Sequence, residues 1–267
     1  MIYFLAQAGL CNRMRGISSA YQFAREMGGQ PLTIIWADNH ECNCALDKIF
    51  TIKADIPVHI INISYMRNFR MRRWKERAVI ALIRQRCQEK FIDDDVYMDK
   101  EILLEKAGKA RNTFITSAAY WLASEKLYEM FVPTENIQKM VANICSELGE
   151  YSVGVHLRRT DHVGSIENST TSAFINWMNS EIAEKPKVKF YVASDDSTEK
   201  RHLKEIFGER IVMQENMELS RETEQGIIGA VTDLYALAST NKILASVGSS
   251  YSDVAAQIRG IQKVDVK

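Results

Sequence analysis

Apolar residues run along this chain in two rhythms, short unbroken stretches and stretches with helical spacing, and the two alternate from end to end. Ile2–Ala6 is an apolar pentad and predicts a buried strand. A turn holding Gly9 follows at 7–12. From 13 to 27, Met14, Ile17, Tyr21 and Ala24 recur on one helical face until Gly28-Gly29 stops the helix. Strands are predicted at 32–36 and 57–61, a long basic helix at 66–88 with a break near Trp74, a helix at 97–107 and a strand at 113–116. Pro133-Thr134-Glu135 opens a helix running to 148, with Thr134 as its cap. The second half alternates more cleanly, with strands at 151–157, 188–194, 210–213 and 242–247. Its helices fall at 171–184, 196–207, 222–239 and 250–259. Such alternation predicts an α/β protein with parallel sheets covered by helices on both faces. Gly149-Glu150 marks the boundary between two Rossmann-like domains, 1–148 and 149–267, which face a cleft.

Composition narrows the class. An apolar fraction of 46% is that of a globular protein with a real core, and a formal net charge of zero excludes a whole-molecule nucleic-acid footprint. The five cysteines, 11, 42, 44, 87 and 145, make no two-pair zinc pattern and read as thiols of a reducing compartment. Met1 leads almost directly into the first strand. No apolar run approaches the roughly 18 residues of a membrane span. A cytoplasmic location is therefore expected. One local departure is the segment 66–90, with nine Lys or Arg against two Glu. Its apolar residues, Phe69, Trp74, Val79, Ile80, Leu82 and Ile83 among them, leave two readings. It is a helix packed on the first domain with a solvated face, or a basic amphipathic helix making peripheral contact with an anionic membrane.

The chemistry concentrates at 151–161, Tyr-Ser-Val-Gly-Val-His-Leu-Arg-Arg-Thr-Asp. In an open α/β sheet, ligands bind beyond the carboxyl ends of the strands. His156, Arg158, Arg159 and Asp161 stand at such an end. Two guanidinium groups there favour an anion, phosphate above all. Gly248-Ser249-Ser250 follows another strand and opens a helix, a place where free backbone N–H groups meet an anion. Gly9-Leu-Cys-Asn-Arg13 does the same on the first domain. Asp195-Asp196 ends a third strand, and Asp196 also fits a helix cap. Asp233 lies among Ile228, Val231, Leu234 and Leu237, so burial would require it to have a partner. No Asp-x-Asp metal motif falls on a convincing loop. Asp93-Asp94-Asp95 reads as a solvated acidic turn.

His156-Leu-Arg-Arg-Thr-Asp161 resembles the His-x-Arg-Arg-x-Asp signature of the α1,6-fucosyltransferase family. Phe190-Tyr-Val-Ala-Ser-Asp-Asp196 is similar to a second block of that family. Gly226–Thr240 with Lys242–Ser250 is similar to a third, so the resemblance covers about 151–260 in order. It implies a two-Rossmann-domain (GT-B) glycosyltransferase that moves fucose from GDP-fucose to a glycan or lipid-linked glycan. The implied mechanism is an inverting displacement that needs no metal and no further cofactor. Arg158 would stabilise the departing β-phosphate and Arg159 would support the site. His156 and Asp233 would read the guanine, Asp196 would lie near the donor, and Ser249 and Ser250 would hold phosphate. Gly9 and Asn12 match the family's Gly-x-Gly-Asn loop, with Cys11 in place of the second glycine. Two departures stand out: His162 replaces a usual lysine, and Ile166 occupies the position of a usual glutamate. Glu167, one residue on, is the candidate base, with Asp161 or His162 as alternatives. Another nucleotide sugar, or a non-catalytic relic of the fold, remains the rival reading.

Overall fold

The computed structural model describes residues 1–63, 69–123, 128–160, 167–215 and 217–267, with the side chains of 69–73 left aside. It divides into two compact units, Met1–Val132 with Arg221–Glu224, and Pro133–Ser220 with Gln225–Lys267.

Unit 1 is built on a five-stranded sheet of β1 (Ile2–Ala6), β2 (Leu32–Ala37), β4 (Val58–Ile63), β5 (Glu89–Ile92) and β6 (Thr113–Thr116). Its order is β4-β2-β1-β6-β5, and every pairing is parallel. Helix α1 (Leu10–Glu26) buries Met14, Ile17, Ala20, Phe23 and Ala24. After the short α2 (Leu46–Ile49), β3 (Phe50–Ile52) pairs with β7 (Phe131–Pro133). Helix α3 (Phe69–Gln85) runs without the break expected near Trp74 and places Val79, Ile80 and Ile83 against a core of Leu5, Ile35, Ile63 and Phe114. Helix α4 (Lys100–Lys109) starts at Asp99, whose carboxylate accepts the Glu101 and Ile102 N–H groups.

Unit 2 begins with α5 (Glu135–Leu148), which packs on β9 (Lys189–Ser194) and β10 (Ile211–Val212); the sequence reading places the domain boundary after that helix. Its sheet adds β8 (Ser152–Leu157), β11 (Lys242–Ser246) and β12 (Gln262–Val266), in the order β10-β9-β8-β11-β12, again all parallel. The covering helices are α6 (Thr171–Glu184), α7 (Ser197–Phe207), α8 (Glu224–Ala238) and α9 (Ser250–Arg259). Val153, Val155, Leu157, Phe190, Val192 and Leu244 share one core with Phe174 and Met178 of α6. Gly154 is the gap in the apolar run of β8 because α8 comes close there. A Cβ would stand 2.9 Å from Leu237 Cδ2 and 3.0 Å from Thr240 Oγ1.

The chain moves outward from β8 to β9 and β10, then returns to lay β11 on the other side of β8. The order therefore reverses between β8 and β11. A crevice opens at such a reversal, beyond the strand ends.

Candidate functional site

Strand register decides which side chains meet at that reversal. Leu157 pairs with Ser194, so Arg158 and Asp195 leave the sheet side by side. On the other flank His156 pairs with Ala245, which sets Ser246 beside the strand end. The Arg158 N–H accordingly donates to Ser246 Oγ at 3.0 Å. Asp195 then organises the turn. Its Oδ1 accepts the Arg159 N–H at 2.7 Å, and its Oδ2 accepts the Thr160 hydroxyl at 2.7 Å. Arg158 Nε lies 3.4 Å from the same Oδ2, and the Arg158 side chain keeps 26% of its surface exposed.

Arg159 points the other way and is consumed internally. Its Nη1 donates to the Ser169 carbonyl at 2.9 Å, its Nη2 to Thr171 Oγ1 at 3.2 Å, and its Nε lies 3.5 Å from Glu199. The plane sits over Phe174 at 5.8 Å. Alternation of side chains about the strand explains why adjacent arginines have different environments. Ser169 continues the tie: its hydroxyl donates to the Val266 carbonyl at 2.7 Å and accepts the Val247 N–H at 2.9 Å. Nothing in the sequence marks Ser169, whose partners lie far along the chain.

Beyond β11, Gly248 takes φ of +73°, a value that suits glycine, and turns the chain into α9. Ser249 is the residue before the helix and is buried, yet its hydroxyl makes no cap hydrogen bond. Ser250 is half-buried. His156 lies beneath this turn, stacked on Tyr251 with centroids 4.9 Å apart. Its Nδ1 has no partner among the described residues. Burial, helped by the charges of Arg158, Lys263 and Arg159 and opposed by Asp195, pushes the imidazole down to about 4, so it is neutral at physiological pH.

Asp233 is buried in α8 and finds its donors inside unit 2. The Tyr191 hydroxyl and Gln214 Nε2 both donate to its Oδ1, the latter at 2.6 Å. Burial raises its carboxyl above the usual range, against the pull of Lys200 and these two donors. The partner that burial demands is thus a tyrosine and a glutamine of the same unit. Asp196 caps α7, accepting the Thr198 N–H at 2.7 Å, and its neighbour Asp195 is the carboxylate that touches Arg158. Glu167 is exposed. Asp161, His162 and Ile166 lie outside the described residues.

In unit 1, Gly9 precedes α1 with an ordinary φ of −71°, and a Cβ there would meet only the Glu41 carbonyl at 3.9 Å. Asn12 is half-buried in the first turn. Arg13 is fully buried and laces the strand ends together. Its Nε donates to the Ala8 carbonyl at 2.7 Å, Nη1 to the Ala37 carbonyl at 2.7 Å and Nη2 to Asn39 Oδ1 at 2.9 Å. A cavity of about 330 Å³ opens beside it, lined by Gln7, Ala8, Asn39, Glu41, Glu76 and Arg77 among others.

Among the described residues, no set of three or more His, Cys, Asp or Glu side chains converges where an ion would sit. No described helix is long and apolar enough to cross a membrane. Cys11, Cys42, Cys44 and Cys87 are buried, and burial pushes the Cys42 thiol up to about 11, far from a reactive thiolate.

No family model and no curated protein matches the sequence. Solved structures do match the fold. Fucosyltransferase NodZ from Bradyrhizobium aligns with a TM-score of 0.63 at 17% identity, over 95% of this chain and 91% of that one. NodZ α1,6-fucosyltransferase soaked with GDP-fucose aligns with a TM-score of 0.62 at 14% identity, over 96% and 92%. Arabidopsis thaliana FUT1 in complex with GDP aligns with a TM-score of 0.61 at 11% identity, over 98% of this chain and 69% of that one. The chain therefore has the NodZ-like fucosyltransferase fold, the GT-B type with two parallel-sheet units.

Proposed function

We propose that the protein is a glycosyltransferase that moves fucose from GDP-fucose to a hydroxyl of a glycan. The observation that carries this reading is the position of Arg158, partly exposed at the strand-order reversal between β8 and β11, with its backbone N–H tied to Ser246 at the end of β11. Cleaving the sugar–phosphate bond leaves negative charge on the β-phosphate. Arg158 would meet that charge as it develops, with the first backbone N–H groups of α9 beside it. Asp195 holds the arginine's backbone turn in place, so little reorganisation is needed at the moment of transfer. His156, buried, neutral and stacked on Tyr251, supports the first turn of α9 and leaves the stabilising positive charge to Arg158. The acceptor oxygen would attack the anomeric carbon from the opposite side, inverting it without a metal. Its proton would pass to a base of the 161–167 segment, with Glu167 as the first choice.

One observation favours a second reading. The Asp233 carboxylate assigned to guanine is already supplied by Tyr191 and Gln214. Another nucleotide sugar is the corresponding alternative. A thermal-shift panel of GDP, UDP, ADP and NAD separates the two, because a ligand at about 100 times its Kd stabilises by roughly 2.7 kcal/mol. Stabilisation by GDP alone is expected; preference for UDP, or no response to any nucleotide, defeats the GDP-fucose assignment. Donor hydrolysis by Arg158→Ala should then fall by about 10²-fold or more relative to the parent. Equal rates in the two proteins would remove the arginine from the chemistry.

A further inference from the structure

Helix α3 meets the rest of unit 1 along one stripe. Val79, Ile80 and Ile83 pack with Tyr3 and Ile61 on the core. On the opposite side Trp74 and Leu82 stand in solvent at 72% and 56% exposure, with exposed Ala81 between them. Positions 74, 78, 81 and 82 share one face at 3.6 residues per turn, so this is a continuous apolar strip. Lys75 borders it on one edge, and Arg77 and Arg84 on the other, all exposed. Arg86 and Lys90, also exposed, follow just past the helix. Glu76 is the single acid in the helix sequence, and with Arg77 it lines the cavity of unit 1.

An apolar strip with cationic edges matches one kind of partner. At a bilayer surface, Trp and Leu sit at the acyl boundary while long basic side chains reach up to anionic headgroups. Nucleic acid fits less well, because one tryptophan beside Ala and Leu is not a base-stacking set. We infer that the outer face of α3 docks the protein on an anionic phospholipid surface. Trp74 and Leu82 enter the interface there, and Lys75, Arg84 and Arg86 contact the headgroups. This inference stands apart from the donor site, since none of these residues belongs to unit 2.

Co-sedimentation with vesicles tests it directly. The whole protein should pellet with phosphatidylcholine vesicles containing one-third phosphatidylglycerol and stay in solution with phosphatidylcholine alone. Trp74→Ala/Leu82→Ser and Lys75→Glu/Arg84→Glu should each weaken partitioning about tenfold or more, the first through lost apolar area at the interface and the second through lost attraction to anionic headgroups. Both variants change exposed positions and should keep the parent's melting temperature and its nucleotide shift, which separates loss of docking from loss of fold or donor site. Failure to pellet with anionic vesicles overturns the inference. So does pelleting that ignores the Trp74/Leu82 change, and so does tighter binding to RNA that competes the protein off vesicles.

Discussion

His156 makes the stability of unit 2 depend on pH in a calculable way. Its ordinary value of 6.5 falls to about 4 in the folded chain, mainly because burial excludes the charged ring from water. A depressed folded value gives stability that is complete above 6.5 and is lost as pH falls toward 4. The full shift corresponds to roughly 3 kcal/mol, and titration from pH 7 to pH 5 should remove about 2 kcal/mol of it. For a unit of this size that is a fall in Tm of about 4–8 °C. The specific control is His156→Phe, which keeps a ring against Tyr251 and deletes the unpartnered Nδ1. Thermal unfolding followed by circular dichroism at pH 7 and pH 5 should show the fall in the parent and a much smaller one in the variant. Equal losses in both would mean that other groups carry the acid sensitivity and that the buried, neutral imidazole is a misreading.

Two substitutions in unit 1 test its packing. Arg13→Met leaves the Ala8 and Ala37 carbonyls and Asn39 without their cationic donor and should cost about 3 kcal/mol in urea unfolding; a loss near zero would show that water replaces the guanidinium. Gly16→Ala would put a Cβ 2.6 Å from the Ser117 carbonyl oxygen and 2.5 Å from Phe4 Cζ, and backbone cannot yield cheaply, so about 1–3 kcal/mol of destabilisation is expected. An unchanged unfolding midpoint would contradict the close approach of α1 to β1 and the chain after β6.

The most legible strands are the interior ones, although the edge strands β4 and β10 were also marked by their short apolar runs. β1, β2, β8, β9 and β11 are interior strands of predominantly apolar residues, and such runs announce themselves. β5, Glu-Lys-Phe-Ile, and β12, Gln-Lys-Val-Asp-Val, are edge strands. These edges are kept polar, which erased their signal and let the basic helix be extended to 88. α3 shows no break at Trp74 because the exposed indole lies on its outer face, where it disturbs no packing. At the candidate site, the arginine pair at the end of a strand was readable from the order of residues alone. The division of labour between Arg158 and Arg159 depended on strand alternation. The Asp195 contact depended on register between β8 and β9. The apolar neighbours of Asp233 said only that burial would demand a partner; its burial and its donors Tyr191 and Gln214 come from elements distant in sequence and left no local trace.

Residues 221–224 complete unit 1 although they lie between parts of unit 2. The Arg221 carbonyl accepts the Asn43 N–H at 3.0 Å, and Glu224 pairs with Lys48 at 3.1 Å. A nascent chain made from its amino end cannot finish its first unit until these four residues have left the ribosome. By then β8, β9 and β10 have also emerged, while β11 and β12 have not. Maturation should therefore be nearly simultaneous for the two halves, and a fragment ending at 132 would lack the last pieces of its own unit.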